Sequence, residues 1–116
     1  MGDEHREGWP LIRVAELEID PAHLEAYEGL LAEEIEASLA HEPGVLMLYA
    51  LSVKDDPTQI RIIEMYADRA AYEEHLNAPH FLRYKSMSAP MVRSLRLLET
   101  NPIALRAKPD RLREWP

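Results

Sequence analysis

The sequence predicts an α+β fold of the ferredoxin-like class, with the element order β-α-β-β-α-β. Four apolar, strand-like segments are separated by two stretches with helical periodicity, and capping or turn residues mark most of the boundaries. The length of 116 residues suits one domain that can bury a core without disulfides. This order is the split βαβ arrangement, in which helices cover one face of a four-stranded antiparallel sheet.

The first strand and the first helix meet at a helix-start signal. Residues 11–19 are rich in apolar, β-compatible side chains, and Asp20 can cap a helix whose first residue is Pro21. The helix should end near Pro43 and Gly44, which both oppose its continuation. Its buried stripe, with apolar residues at three- and four-residue intervals, is predicted to be Leu24, Tyr27, Leu30, Leu31, Ile35 and Leu39. Its solvated face is predicted to carry Glu25, Glu28, Glu33, Glu34 and Glu36.

The second strand, residues 45–53, is apolar on both faces of its pleat. Helices of the same chain can cover one face of the sheet, but a domain this short has no further element for the other. We therefore expect a second subunit to cover it, which predicts a homodimer and a dimeric α+β barrel.

The remaining elements follow from local signals. Residues 54–58 are typical of a hairpin turn, and residues 59–67 form a strand. Asp68 can cap a second helix, which Pro79 should break or kink. Residues 91–100 are predicted to be the last strand.

The chain ends outside this domain are expected to be extensions. Residues 1–10 form an N-terminal extension, residues 11–100 the ferredoxin-like domain, and residues 101–116 a C-terminal arm that contains Trp115. The arm should either lie across a partner subunit or be partly disordered.

Composition excludes several classes of function. Thirteen Lys and Arg against 21 Asp and Glu give a net charge of −8, which disfavours nucleic acid as a partner. The absence of cysteine excludes disulfides and thiolate chemistry. The first residues are acidic where a secretory signal is basic and then apolar, and no apolar run reaches membrane-spanning length. We therefore expect a cytoplasmic protein without a membrane partner.

Ionisable groups lie beside apolar surface between residues 63 and 81. Glu64 and Tyr66 share a strand face with Ile60 and Ile62, whereas His75 shares a helical stripe with its neighbours. Apolar walls with a few polar groups are typical of a small-molecule pocket. The candidate catalytic residues are His75 and Glu64, and the candidate substrate-binding residues are Tyr49, Tyr66, Tyr72, His80 and Phe81.

Each candidate also has a structural interpretation. His75 could be a structural histidine bonded to backbone or to Tyr66, and His80, beside Pro79, could cap a helix or lie at the surface. Burial would raise the pKa of Glu64 into the range of a general base, unless an arginine pairs with it. The tyrosines could simply pack on half-buried strands.

No cofactor or metal is predicted. The sequence has no dinucleotide fingerprint, phosphate loop or nucleophile elbow. His75 and His80 are separated by Pro79 at a spacing that is poor for joint ligation on one helix.

The spacing E-x-Y-x-D-x-x-A-x-x-x-H-x-x-x-P-H-F, from Glu64 to Phe81, resembles the antibiotic biosynthesis monooxygenase family, including its quinol-monooxygenase and autoinducer-2-processing members. The resemblance spans residues 11–100. It implies a small dimeric ferredoxin-like barrel, and several members of the family oxidise quinols or anthrones with molecular oxygen and without metal or flavin.

The resulting hypothesis is a cofactor-independent monooxygenase that acts on a small quinol-like or polyketide-like aromatic. His75 or Glu64 would remove a proton, and the electron-rich substrate would itself reduce oxygen. The alternatives are an isomerase or decarboxylase that uses the same deprotonation on a carbonyl substrate, and a ligand-binding dimeric barrel without catalytic activity.

Overall fold

The computed structural model describes residues 8–108 and confirms the predicted α+β class and element order. The sheet is antiparallel, and its four strands, numbered along the chain, lie in the order second, third, first and fourth that a ferredoxin-like fold requires. Short 3₁₀ turns precede the first helix and the last strand. The elements are β1 (Leu11–Ile19), α1 (Leu24–His41), β2 (Val45–Val53), β3 (Asp56–Tyr66), α2 (Arg69–Leu76), α3 (Pro79–Ser88) and β4 (Val92–Glu99).

Both predicted aspartate caps are present. Asp20 accepts a hydrogen bond from the backbone N–H of Ala22 at 3.0 Å and caps the 3₁₀ turn that leads into α1. Asp68 accepts one from the backbone N–H of Ala71 at 2.8 Å and caps α2. These side chains fix where the chain leaves the sheet and turns back across it.

The predicted break at Pro79 is confirmed, whereas the start of β3 differs from the prediction. Pro79 breaks the predicted second helix into α2 and α3, because it occupies the first turn of a new helix. β3 begins at Asp56 rather than at residue 59, and Pro57 is accommodated where the β2–β3 register shifts. A register shift leaves backbone groups outside the ladder, so a residue without an N–H is tolerated there.

The helices cover the sheet face that carries Ile60 and Ile62. One core cluster joins this face to α1 through Tyr27 and Leu31, and a second cluster centres on Tyr66. The buried positions of α1 differ from the predicted stripe, since Leu39 is 43% exposed. They are Tyr27, Leu31, Glu34 and Ser38.

The prediction that Glu34 lies on the solvated face is therefore wrong. Glu34 is only 6% exposed, because it shares the inward stripe of α1 with Leu31 and Ser38. A carboxylate on the buried side of a helix needs polar partners in the interior of the protein.

The opposite sheet face carries apolar side chains that the helices do not cover. Tyr49 pairs with Ile63, and Met47 pairs with Met65, across β2 and β3. Tyr49 and Leu51 are 42% and 52% exposed. This open face corresponds to the doubly apolar strand that the sequence indicates.

After β4, residues 101–108 continue without a helix or strand, with Pro102 buried and Ile103 86% exposed. Two predicted segments lie partly outside the described residues. They are the C-terminal arm from residue 109 onward, which contains Trp115, and residues 1–7 of the N-terminal extension. No helix within residues 8–108 is long and apolar enough to cross a membrane.

Candidate active site

A cavity of about 340 Å³ lies between the helices and the covered face of the sheet. Its walls are predominantly apolar, with a small number of polar groups that converge on one space, as in small-molecule binding sites. The polar and charged lining residues are Arg13, Glu34, Glu64, Tyr66, Tyr72, His75, Tyr84, Lys85 and Ser88.

Strand β3 contributes two of the predicted site residues, Glu64 and Tyr66. They lie on the same face of the strand, and the Tyr66 hydroxyl donates a hydrogen bond of 2.9 Å to Glu64 Oε1. Burial raises the pKa of Glu64, although the hydrogen bond from Tyr66 and the charge of Arg13 oppose this effect. Glu64 is therefore a carboxyl group whose proton affinity is increased by its surroundings.

Strand β1 brings Arg13 to the same wall. Arg13 is 8% exposed, pairs with Glu64 in the β1–β3 register, and donates from Nη1 to the Tyr72 hydroxyl. Its guanidinium carbon lies 4.6 Å from the centre of the Tyr72 ring. Within residues 8–108, no arginine or lysine forms a salt bridge with Glu64.

Helix α2 buries His75, which is 3% exposed, between two carboxylates. Its Nδ1 lies 3.1 Å from Oε2 of Glu42, the residue that follows α1, and its Nε2 lies 3.5 Å from Oε1 of Glu34. Glu34 in turn accepts a hydrogen bond of 2.6 Å from the Ser38 hydroxyl. The hydrogen-bond partner of His75 is thus a carboxylate, rather than backbone or Tyr66.

The structure brings His80 to the same carboxylate. His80 Nε2 contacts Glu42 Oε2, although its side chain is not among those that line the cavity. The break at Pro79 reorients α3 relative to α2, so the spacing argument against His75 and His80 acting together is wrong. His80 does not cap a helix, because the residue that precedes α3 is Ala78.

One set of side chains in the described structure could hold a metal ion. A donor atom from each of Glu34, His75 and His80 lies within 4.8 Å of the other two. Imidazole and carboxylate together suit zinc or a similar transition ion. The prediction that the protein binds no metal therefore stays a prediction to be tested at these residues.

Aromatic rings occupy the space around His75. Phe81 packs with its ring centre 4.8 Å from that of His75, and Tyr66 lies 5.4 Å away. Tyr66 also makes an edge contact of 5.2 Å with Tyr72. Three of the five predicted substrate-binding residues therefore line the cavity beside His75 and Glu64, namely Tyr66, Tyr72 and Phe81.

Tyr49 lies outside this cavity. Its register partner is Ile63, which points to the uncovered face of the sheet, and the Tyr49 side chain is 42% exposed there. Residues on one strand alternate between the two faces, so a tyrosine on β2 reaches the cavity only from an inward position such as that of Leu48.

Sequence reasoning missed Glu42 and Tyr84 as site residues and did not place Arg13 or Glu34 in the pocket. A signal for Arg13 was present, because it alternates with the buried Ala15 and Leu17 on β1. Tyr84 lies on α3, and its hydroxyl is 2.6 Å from that of Tyr27 on α1. Nothing in the sequence pairs Glu42 with His75.

Comparisons with known proteins agree with this architecture. Residues 10–86 match the family model of antibiotic biosynthesis monooxygenases. A solved structure from Bacteroides thetaiotaomicron, named as a candidate antibiotic biosynthesis monooxygenase, is 43% identical, with a TM-score of 0.84, over 86% of this chain and 97% of that one.

More distant structures share the fold. A protein of Pseudomonas aeruginosa is 27% identical, with a TM-score of 0.77, over 85% of this chain and 99% of that one. One from Nitrosomonas europaea, of similar name to the Bacteroides protein, is 20% identical, with a TM-score of 0.79, over 85% and 95% of the two chains. No curated protein matches the sequence. The family match covers most of the chain, and the Bacteroides structure is 43% identical over 86% of it, so the protein belongs to the antibiotic biosynthesis monooxygenase family.

Proposed function

We propose that this protein is a cofactor-independent monooxygenase that oxidises a small quinol-like or polyketide-like aromatic with molecular oxygen. The observation that carries the proposal is a buried imidazole, His75, held by Glu42 at the wall of an apolar cavity of about 340 Å³. Family membership supports an oxidoreductase of the monooxygenase kind.

His75 has the arrangement of an oriented general base. If Glu42 accepts the proton of Nδ1, the neutral imidazole carries its lone pair on Nε2. After Nε2 takes a proton, the imidazolium lies between the carboxylates of Glu42 and Glu34 and is stabilised by both. Glu64 is the second candidate base, because burial raises its pKa while leaving it at the cavity wall.

The proposed reaction uses the substrate as the reductant. Removal of a proton from a phenol or an activated CH₂ leaves an electron-rich carbanion that transfers electrons to O₂ and forms a C–O bond. For an activated CH₂ group, O–O cleavage then leaves one oxygen as a carbonyl and releases the other as water with the two hydrogens. The balance is CH₂ + O₂ → C=O + H₂O, so no external reductant is required.

The cavity walls suit a flat aromatic. The rings around His75 belong to Phe81, Tyr66 and Tyr72, with ring-centre separations of 4.8 to 5.4 Å. Aromatic rings stack or pack edge to face at these separations. Apolar walls also exclude water from a reactive carbanion.

Oxygen consumption with a panel of anthrones and quinols tests the proposal. We expect the protein to accelerate uptake, and His75→Ala to lower the rate of the chemical step by about a hundredfold or more with the fold intact. His23→Ala is the matched control, because His23 is exposed in the turn before α1.

Two results would contradict the assignment. Full activity in His75→Ala, together with a lowered unfolding midpoint, would make His75 structural. Proton exchange or decarboxylation without oxygen uptake would favour the isomerase or decarboxylase, and binding without any turnover would favour a ligand-binding barrel.

A further inference from the structure

Arg13 carries a buried donor that the described structure leaves without a partner. The side chain lines the cavity and is 8% exposed, and its Nε has no hydrogen-bond partner. An unpaired donor on a buried cation is costly, and such groups normally bond to protein, water or a ligand.

No neighbouring group in the described structure accepts a hydrogen bond from this Nε. Arg13 Nη1 donates to the Tyr72 hydroxyl, and the carboxylate of Glu64 accepts from Tyr66. The guanidinium also packs over the Tyr72 ring, with its carbon 4.6 Å from the ring centre.

We propose that Arg13 anchors an anionic oxygen, a carboxylate or a phenolate, on a flat aromatic ligand bound in this cavity. The inference deepens the proposed function, since it rests on an aromatic substrate there and names its chemical class. Arginine is suited to this role because its charge is permanent and its donors have fixed directions.

The charges around the cavity are compatible with an anion. Lys85 adds a second cation to the lining. Burial raises the pKa of Glu64, which weakens its competition for Arg13. Glu34 is bonded to Ser38 and lies beside His75, so its charge is directed to the imidazole.

The arrangement also orients the ligand. Tyr66 contacts Tyr72 on one side and His75 on the other. A ring anchored by its oxygen at Arg13 would lie along Tyr66, with its distal part beside the imidazole. The anchor therefore positions the reacting atom without taking part in proton transfer.

Binding of non-reactive probes to the wild-type protein by calorimetry tests the inference without turnover. The carboxylate probe is 2-naphthoate, its neutral counterpart is methyl 2-naphthoate, and the phenolate probe is 4-nitrophenol, whose anion has its own visible absorption band. We expect 2-naphthoate to bind about tenfold to a hundredfold more tightly than the ester, or bound 4-nitrophenol to shift toward its anion at fixed pH. The first result identifies a carboxylate ligand and the second a phenolate.

Arg13→Gln should remove the preference for the anion, whereas Arg93→Gln, an exposed arginine paired with Asp20, should keep it. Equal binding of the acid and the ester, with no shift of 4-nitrophenol, overturns the inference on the wild-type protein even if Arg13→Gln fails to fold. Anion-selective binding without oxygen uptake would sustain the inference and reject the monooxygenase.

Discussion

At the scale of single residues, the pairing of His75 with Glu42 is the feature on which the proposed chemistry depends. Glu42→Gln keeps an oxygen that can accept from Nδ1 but removes the negative charge that stabilises an imidazolium. We expect kcat to fall by about tenfold or more with KM nearly unchanged, measured by oxygen uptake. Glu36→Gln, at an exposed position of α1, is the control. An unchanged kcat with lower thermal stability would show that Glu42 only supports the fold.

Glu64 makes stability depend on pH in a definite direction. Burial raises its pKa in the folded protein, so the folded state binds more protons than the unfolded state between the two values. The stabilisation is fully present below the pKa that Glu64 has in the unfolded state. It is lost as the pH rises through the higher pKa of the folded state. We expect Glu64→Gln to be less sensitive to rising pH across this window, measured from thermal midpoints. Parallel pH profiles for the variant and the wild type would contradict the burial effect.

At the scale of secondary structure, the approach of the α1–β2 turn to α2 requires a glycine. A Cβ placed on Gly44 would lie 2.4 Å from Cβ of Ala71, so one of the two elements must shift. Gly44→Ala should lower the free energy of unfolding by about 1–3 kcal/mol.

Gly29→Ala is the matched comparison in the same unfolding experiment. Gly29 lies within α1 and has open space around its Cα, so alanine should raise stability by about 0.5–1 kcal/mol. Equal effects of the two substitutions would contradict the close contact between Gly44 and Ala71.

At the scale of the whole molecule, the uncovered sheet face predicts a homodimer in which two sheets pack face to face. Ile63 lies at the centre of this face, between Val14 and Tyr49 in the sheet register. Light scattering of the wild type should give a dimer, and Ile63→Glu should give a monomer. Leu82→Glu, half exposed on α3, should remain dimeric. A stable wild-type monomer would reject the barrel.

The whole protein is also expected to function without a bound metal, flavin or haem. Elemental analysis and the visible spectrum of protein purified from cells provide the measurement. One transition ion per chain that is lost on replacing His80 would assign Glu34, His75 and His80 as ligands and would contradict the prediction. A flavin or haem absorption band would contradict it equally.

The sequence by itself determined the order of the elements and several of their boundaries. Asp20, Asp68 and Pro79 act on their immediate neighbours, so their effects on helix starts and breaks are readable without the fold. The alternation of side chains along a strand and the repeat of a helix likewise placed Glu64 and His75 on inward faces. Side-chain direction in both elements follows from local backbone geometry.

Only the tertiary structure decided which inward groups meet. His75 bonds to Glu42 and Arg13 to Tyr72 across long separations in sequence, and Tyr49 lies on the far face of the sheet. The sequence pattern around Glu34 is that of an exposed acid, but the packing of α1 buries its side chain. These outcomes depend on strand register and on how helices cross the sheet. Register and crossing are set by the summed packing of the whole core, which no local sequence pattern contains.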